Sequence, residues 1–492
     1  MSTAQVFGYA IVGLGTQIVE VEATISNGLP QLDLVGISDR RSKQIRAKVR
    51  SAIVQSGYKM PDRRIIVNLA PSDIDKEHAG FDLPVALSIL LASHQIDRSR
   101  FLNIHAIGDL SLTGWIKPAP GQALAVISSQ GRGETLVVGD GVNWGALIDT
   151  PCLITATTLS DFKSDLRPKV EAAKVSPCSP ARTTELIDDI KGQSAAKRAL
   201  AIAALGRHHL LLSGPPGSGK TMLAKRLIGL LEPLNREQVI ELNCIASLQG
   251  TNHFRLNLPR PFREVHHSTS AAALIGGGNP PKPGEITKAH HGILFLDELP
   301  EFSHQVLNQL RQPMESGTIE IHRAHHHLQY PAQFQLVAAM NPCPCGWLGS
   351  ARPCSCLGDA ISRYQRKVSG PIMDRIDLQV SVPAVKPEHL LEEFKKLPVT
   401  EPEGQTEHER LGSTLERARR FRDHRQSLDD RPLPQQLQSE ALAFMTDAAN
   451  RLQLSGRSIQ KVVSIGRTIA DLGLARHVTP QHLIEALSLR PN

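Results

Sequence analysis

Eight consecutive residues, Gly214-Pro215-Pro216-Gly217-Ser218-Gly219-Lys220-Thr221, set three glycines, a lysine and a hydroxyl in the order that holds a phosphate chain. The glycines let successive backbone N–H groups wrap the phosphates, Lys220 reaches the β and γ oxygens, and the Thr221 hydroxyl is a ligand for Mg²⁺. Further along, the apolar run Ile293-Leu294-Phe295-Leu296 ends in Asp297-Glu298. A buried strand there delivers Asp297 to the metal side of the phosphates and leaves Glu298 to polarise an attacking water. Two such segments, in this order and at a domain's spacing, predict hydrolysis of a nucleoside triphosphate with ATP and Mg²⁺ as cofactors.

Other residues complete that chemistry. The run Gln335-Leu336-Val337-Ala338-Ala339-Met340 ends in Asn341, whose amide can hold the water opposite Glu298 if its strand lies between the two Walker strands. In Gly370-Pro371-Ile372-Met373-Asp374-Arg375-Ile376-Asp377-Leu378 an arginine sits between apolar residues, where its charge needs an anion. A neighbouring subunit's γ-phosphate and an intrachain bridge to Asp374 or Asp377 suit it equally. Arg457, in the first turn of a helix after Leu454-Ser455-Gly456, reads either as a nucleotide sensor or as a solvated helix arginine. Cys343-Pro344-Cys345 and Cys354-Ser355-Cys356 supply four thiols, enough for a tetrahedral Zn²⁺, although one residue within each pair is narrower than the common spacing. Structural zinc is the favoured reading, with free thiols or a redox pair as alternatives; Cys152, Cys178 and Cys244 read as packing residues.

These groups need elements to carry them. A strand-like run over 209–213 precedes the phosphate loop and a helix-like run over 222–231 follows it, the α/β context such a loop requires. Residues 1–162 mix strand-like stretches (18–25, 64–68, 136–138) with helix-like ones (42–55, 83–93, 123–129) as a separate domain. Pro168, Pro177 and Pro180 mark residues 163–184 as a linker, 185–385 form the ATPase domain, and 386–492 read as a helical lid. The length of 492 residues agrees with about three domains, and 41% apolar residues can fill their cores. Aromatic residues at 4% disfavour base stacking, so the net charge of +7 points, modestly, to phosphate contacts if nucleic acid is the partner. The start of the chain has no basic-then-apolar leader and no stretch reaches the length of a membrane span, so a cytoplasmic location without membrane partners is expected. Seven cysteines, an odd number, argue against a disulfide framework.

Three blocks together resemble one family: Gly276-Gly277-Gly278-Asn279-Pro280-Pro281-Lys282-Pro283-Gly284-Glu285-Ile286, then Leu296-Asp297-Glu298-Leu299-Pro300-Glu301-Phe302, then Asn341-Pro342-Cys343-Pro344-Cys345-Gly346. They look like the magnesium-chelatase-related AAA+ ATPases and, within them, the bacterial ComM/YifB family, over essentially the whole chain in the same domain order. The resemblance implies an AAA+ core with helix-2 and pre-sensor-1 insertions, working as a hexameric ring. It makes Asn341 sensor 1, Arg375 a finger acting on the neighbouring subunit, and Arg457 sensor 2. The implied activity is ATP-driven branch migration that extends heteroduplex DNA in natural transformation, with single-stranded and branched DNA and recombination proteins as partners. The competing reading is a protein-remodelling or chelatase-like motor acting on a protein partner.

In the family geometry a β-hairpin after Glu315-Ser316-Gly317 enters the ring's channel, with 318–322 and 334–338 as its strands and Arg323-Ala324-His325-His326-His327 near the tip. Arg323 is the favoured DNA contact because it is permanently charged and binds phosphate bidentately, whereas His325, His326 and His327 are mostly neutral at pH 7. A solvated hairpin or a histidine metal site are the alternatives. Lys282, with His266 and His267 in the other insertion, ranks below it. The N-terminal segments Asn68-Leu69-Ala70-Pro71-Ser72-Asp73-Ile74-Asp75-Lys76-Glu77 and Ile107-Gly108-Asp109-Leu110-Ser111-Leu112-Thr113-Gly114 are similar to the Lon protease domain, an α+β, ribosomal-S5-like fold. No serine follows Lys76-Glu77 within the next five residues and no lysine lies between Pro118 and Phe162, so protease activity is not expected, the one remaining pairing being Ser72 with Lys76. The domain is expected to be a scaffold, with the basic helix over 40–50 as a DNA collar or a solvated face.

Overall fold

The computed structural model describes residues 2–490 except 75, 77–79, 102, 141–152, 165–186, 191, 251–254, 256, 279–281, 324–325, 369, 385–405 and 429–432. In the N-terminal region a seven-stranded mixed sheet runs in the order Gln31–Val35, Arg64–Ala70, Gly15–Ser26, Ser2–Val12, His105–Ile107, Leu136–Gly139, Leu153–Ala156. Period-two patterning sets its faces: Val19, Val21, Ala23 and Ile25 are buried, while Glu20 and Glu22 point out. The covered face lies against the helix Asp82–Ala92, every residue of which is buried.

The helix Asp39–Gln55 carries the basic run read as either a collar or a solvated face. Two of its cations serve the interior instead. Lys48 Nζ lies 3.0 Å from the fully buried Asp82, and Arg41 lies 3.6 Å from Asp109 and 3.9 Å from Asp82. A buried carboxylate demands such partners; Arg40, Lys43 and Arg50 stay exposed.

The second sheet is five-stranded and parallel, in the order Phe262–Val265, Ile293–Leu296, Gln335–Met340, Leu210–Ser213, Leu378–Ser381. Its central strands are continuous apolar runs, as strands covered on both faces must be. This order sets the strand ending at Asn341 between the two Walker strands. The helices Glu407–Leu428, Ser439–Arg451, Gly456–Leu472 and Pro480–Ser488 pack on this core. There the buried Asp471 accepts hydrogen bonds from Arg425 (2.9 and 3.0 Å) and Arg467 (2.9 Å), and His208 bonds Thr468 at 2.8 Å.

The two regions share an apolar seam. The helix Gln122–Arg132 lies against Arg236–Ser247, the Gly121 N–H donates to the Ser247 carbonyl at 3.1 Å, and Cys244 packs with Tyr9, Ala123 and Val126. Burial pushes the Cys244 thiol up to about 12, consistent with a packing role; Cys152 and Cys178 lie outside the described residues. Among the described residues no helix is long and apolar enough to cross a membrane.

Candidate functional site: a phosphate loop, a sensor strand and an acid pair

After Leu210–Ser213 the chain turns sharply along the end of the neighbouring strand. A Cβ on Gly214 would lie 2.1 Å from the Val382 carbonyl oxygen, so glycine is required. Gly219, at φ +88°, leads into the helix Lys220–Leu230, whose N-terminal N–H groups therefore face the loop. The Ser218 hydroxyl is buried with no hydrogen-bond partner among the described residues, which suits a phosphate oxygen as acceptor.

Lys220 Nζ donates to the carbonyls of Gly214 (2.7 Å) and Pro215 (3.0 Å) and to Asn341 Oδ1 (3.1 Å). Burial lowers its pKa, opposed by the nearby Asp297 and Glu298 carboxylates. Thr221 Oγ1 donates to Asp297 Oδ2 at 3.1 Å, so a hydroxyl and a carboxylate meet as a hard-oxygen donor set of the kind Mg²⁺ takes. Glu298 has a left-handed backbone, φ 52° and ψ 49°, a conformation that costs of order 1–3 kcal/mol and collects at functional sites. Its side chain faces His267 Nδ1 at 3.3 Å. Lys220, Thr221, Asp297, Glu298 and Asn341 are thus gathered at the C-terminal ends of adjacent parallel strands.

The two arginines lie together elsewhere. Arg375 Nη2 and Arg457 Nη2 each lie 2.8 Å from the same atom, Glu315 Oε1. Of the two level readings of Arg375, the intrachain one named Asp374 or Asp377; the bridge it makes is to Glu315 instead, while Asp377 is taken by Lys461 (2.5 Å) and by the His209 N–H (2.8 Å). Arg375 is largely covered, its side chain 13% exposed, whereas that of Arg457 is 54% exposed.

The hairpin is also corrected. Its strands are Thr318–Arg323 and His326–Pro331, with Arg323 opposite His326 and His322 opposite His327. The run from 335 belongs to the central sheet. The second strand is held by Leu328 and Tyr330, buried with Ile319 and Ile321, so His326 and His327 are strand residues. His325 lies outside the described residues. Lys282 is exposed in a short antiparallel pair, Gly276–Gly277 with Lys282–Pro283.

Among the described residues two clusters could hold metal by composition: Cys343, Cys345, Cys354 and Cys356; and Glu241, His290 and His291. In the second, His290 Nδ1 accepts the Gln333 N–H at 3.1 Å, which places the proton of the neutral ring on Nε2, 3.0 Å from Glu241. Burial pushes His290 down to about 4, so the neutral form prevails near pH 7. That nitrogen donates to Glu241 and has no lone pair for an ion. The cysteines face no such obstacle.

A parallel sheet with a phosphate loop, an acid pair on one flank and a polar sensor between defines a P-loop ATPase of the AAA+ class. Comparison with known proteins narrows the class. Residues 186–390 match the family model of the magnesium chelatase subunit ChlI, residues 21–141 match a second ChlI model, and 406–490 match the ChlI C-terminal model. Competence protein ComM of Haemophilus influenzae is 40% identical over 508 residues, covering 100% of this chain and 98% of that protein. YifB of Salmonella typhimurium is 39% identical over 499 residues, covering 100% and 97%. The chain belongs to the ComM/YifB family of magnesium-chelatase-like AAA+ ATPases. Lon protease 2 of Bacillus subtilis is 26% identical over 200 residues, 36% of each chain.

The sequence reading missed Glu315 as a partner of the arginines, and it placed His267 with the channel contacts rather than beside Glu298. Glu315 is separated by 60 or more residues from both arginines it holds, and no local pattern announces it. His267 was legible in principle: Val265 pairs with Leu296, so two residues further on His267 stands beside Glu298.

Proposed function

We propose that this chain is the subunit of a hexameric, ATP-driven DNA translocase that carries out branch migration of recombination intermediates during natural transformation. One observation carries the reading. The hairpin is spliced into the chain between the Walker strand Ile293–Leu296 and the sensor strand Gln335–Met340, its base closed by the Ala332 N–H on the Gly317 carbonyl at 2.7 Å. Any shift of Asp297 or Asn341 during hydrolysis is therefore felt at the hairpin through a few residues of chain. The name of the Haemophilus relative, a competence protein, supports the biological setting.

ATP with Mg²⁺ supplies the phosphoryl chemistry. The loop over 214–221 cradles the phosphates, Thr221 and Asp297 hold the metal, Glu298 accepts a proton from the attacking water, and Asn341 orients that water. Arg375 leaves Glu315 to reach the neighbouring subunit's γ-phosphate, and Arg457 senses nucleotide from the lid. Arg323, with His325, His326 and His327, meets the DNA backbone in the channel, and Lys282 makes a lesser contact.

The test is ATP turnover with and without single-stranded and branched DNA, at low and high salt. Stimulation that fades steeply with salt is expected, because phosphate neutralisation releases counterions. ATP turnover that DNA leaves unchanged would favour a motor acting on a protein partner, the reading suggested by the chelatase names of the matching models.

A further inference from the structure

The four cysteines do not behave as separate thiols. Sγ of Cys343 lies 3.4 Å from that of Cys345 and 3.7 Å from that of Cys354, and Cys345 to Cys354 is 3.5 Å. With Cys356 included, all four sulfurs fall within 4.8 Å of one another. A tetrahedron of thiolates around one zinc, with bonds of about 2.3 Å, has edges of about 3.8 Å. Three backbone N–H groups aim at these sulfurs: Leu348 at Cys343, Cys345 at Cys356 and Cys356 at Cys354, each at 3.4 Å. Backbone N–H groups aimed at sulfur are the outer contacts that orient metal-bound cysteines. The all-sulfur set rejects hard ions such as Mg²⁺ and Ca²⁺, and the short edges suit one ion better than a polynuclear iron–sulfur cluster.

The same loop touches the phosphate loop. Gly346, at φ +84°, follows directly after Cys345, and a Cβ there would come 2.6 Å from Pro216 Cδ and 3.8 Å from Asn341 Cγ. The Gly346 N–H donates to the Cys343 carbonyl at 3.0 Å, and Cys343 is wholly buried two residues after Asn341. On the far side Arg352 stacks over Trp347 at 4.8 Å, ordering the turn between the two pairs. The segment 343–346 is thus a bracket with one end on the sensor and its bend on the phosphate loop.

We propose that Cys343, Cys345, Cys354 and Cys356 bind one zinc ion, and that this centre clamps the phosphate loop and Asn341 into the geometry that binds ATP. The metal half stands by itself, while the clamp half rests on the ATPase reading. The test uses the full chain, measuring zinc per protomer by elemental analysis and affinity for a fluorescent non-hydrolysable ATP analogue, before and after removal of the metal by a chelator. One zinc per protomer is expected, lost in Cys354→Ser/Cys356→Ser, with affinity for the analogue falling about tenfold when the metal is gone and returning when zinc is restored. Gly346→Ala should keep its zinc yet lose affinity, separating the clamp from a general folding defect. Protein made in zinc-supplemented medium that holds no stoichiometric zinc would overturn the metal centre. Zinc that can be removed without change in analogue affinity would overturn the clamp. Stoichiometric zinc in a protein that binds no nucleotide in any form would overturn the ATPase reading and the clamp with it, leaving the metal centre standing.

Discussion

Lys76 in the N-terminal region and Lys220 in the ATPase region are both buried behind a loop. Lys76, in the N-terminal region, is 3% exposed and donates to the carbonyls of Gly36 (2.9 Å), Pro71 (2.5 Å) and Ile74 (3.3 Å). Lys220 is 9% exposed and also donates to two carbonyls of its own loop. By burial and hydrogen bonding alone the two look alike. The difference is in what else is near. Lys220 adds a side-chain amide, has two carboxylates close enough to raise its pKa, and sits among the hydroxyls of Ser218 and Thr221. Its partners can be exchanged for phosphate oxygens. Lys76 joins two backbone segments, the turn at Gly36 and the loop over 71–74. A buried lysine belongs to a site when exchangeable polar groups surround it, and to the scaffold when main chain does.

The comparison is most open to attack at the lysines themselves. Lys220→Ala is expected to lower ATP turnover by about 100-fold or more, the scale on which removing an electrostatic stabiliser acts. Lys76→Met should leave turnover per folded molecule within about twofold while lowering the melting temperature, since it removes a hydrogen-bonded buried charge. Equal losses of turnover would erase the distinction. Next in size, Glu298→Gln should retain ATP but hydrolyse it about 100-fold more slowly, and His267→Ala about tenfold more slowly, measured as single-turnover phosphate release. Unchanged hydrolysis in Glu298→Gln would remove that residue from the mechanism. Arg375→Ala protein should be nearly inactive alone and recover when mixed with Lys220→Ala protein, each supplying what the other lacks; mixtures no more active than their parts would reject a finger acting between subunits. Arg323→Ala should keep basal turnover and lose the response to DNA, and a parallel loss of both would indicate damage to the fold.

The smallest effect concerns acid. Burial holds His209 and His290 down at about 4, and it also lowers His208, His291 and His482, whereas His105 is the N-terminal histidine so displaced among the described residues. A histidine whose folded pKa lies below its unfolded value near 6.5 contributes stability that is present above pH 6.5 and lost as pH falls toward 4. With five such groups among the described residues, the ATPase region and its helical lid should loosen first across that window. Hydrogen exchange followed region by region would show it, and simultaneous opening of both regions would contradict it.

Where chemistry is local, the sequence was transparent. The phosphate loop, Asp297-Glu298 and Asn341 are contiguous motifs, and the strand order then brings them together. The hairpin was misplaced because the run over 334–338 is apolar enough to serve as either a hairpin strand or a central strand. Its true partner, His326–Pro331, hides its buried face in the alternation of Leu328 and Tyr330 among histidine and glutamine. Two cations of the basic helix, Arg41 and Lys48, were not singled out for a related reason: Asp82 is far away in sequence, and nothing local tells Arg41 from Arg40.

Glu315 holds two guanidinium groups on a single oxygen. Like charges so near each other repel, and the carboxylate that draws both in must divide its attraction between them. Were Arg375 to swing away, Arg457 would lose a rival and grip harder; were Arg457 to lift, Arg375 would settle deeper. The arrangement works like the beam of a balance, on which the load taken from one pan is felt at once in the other.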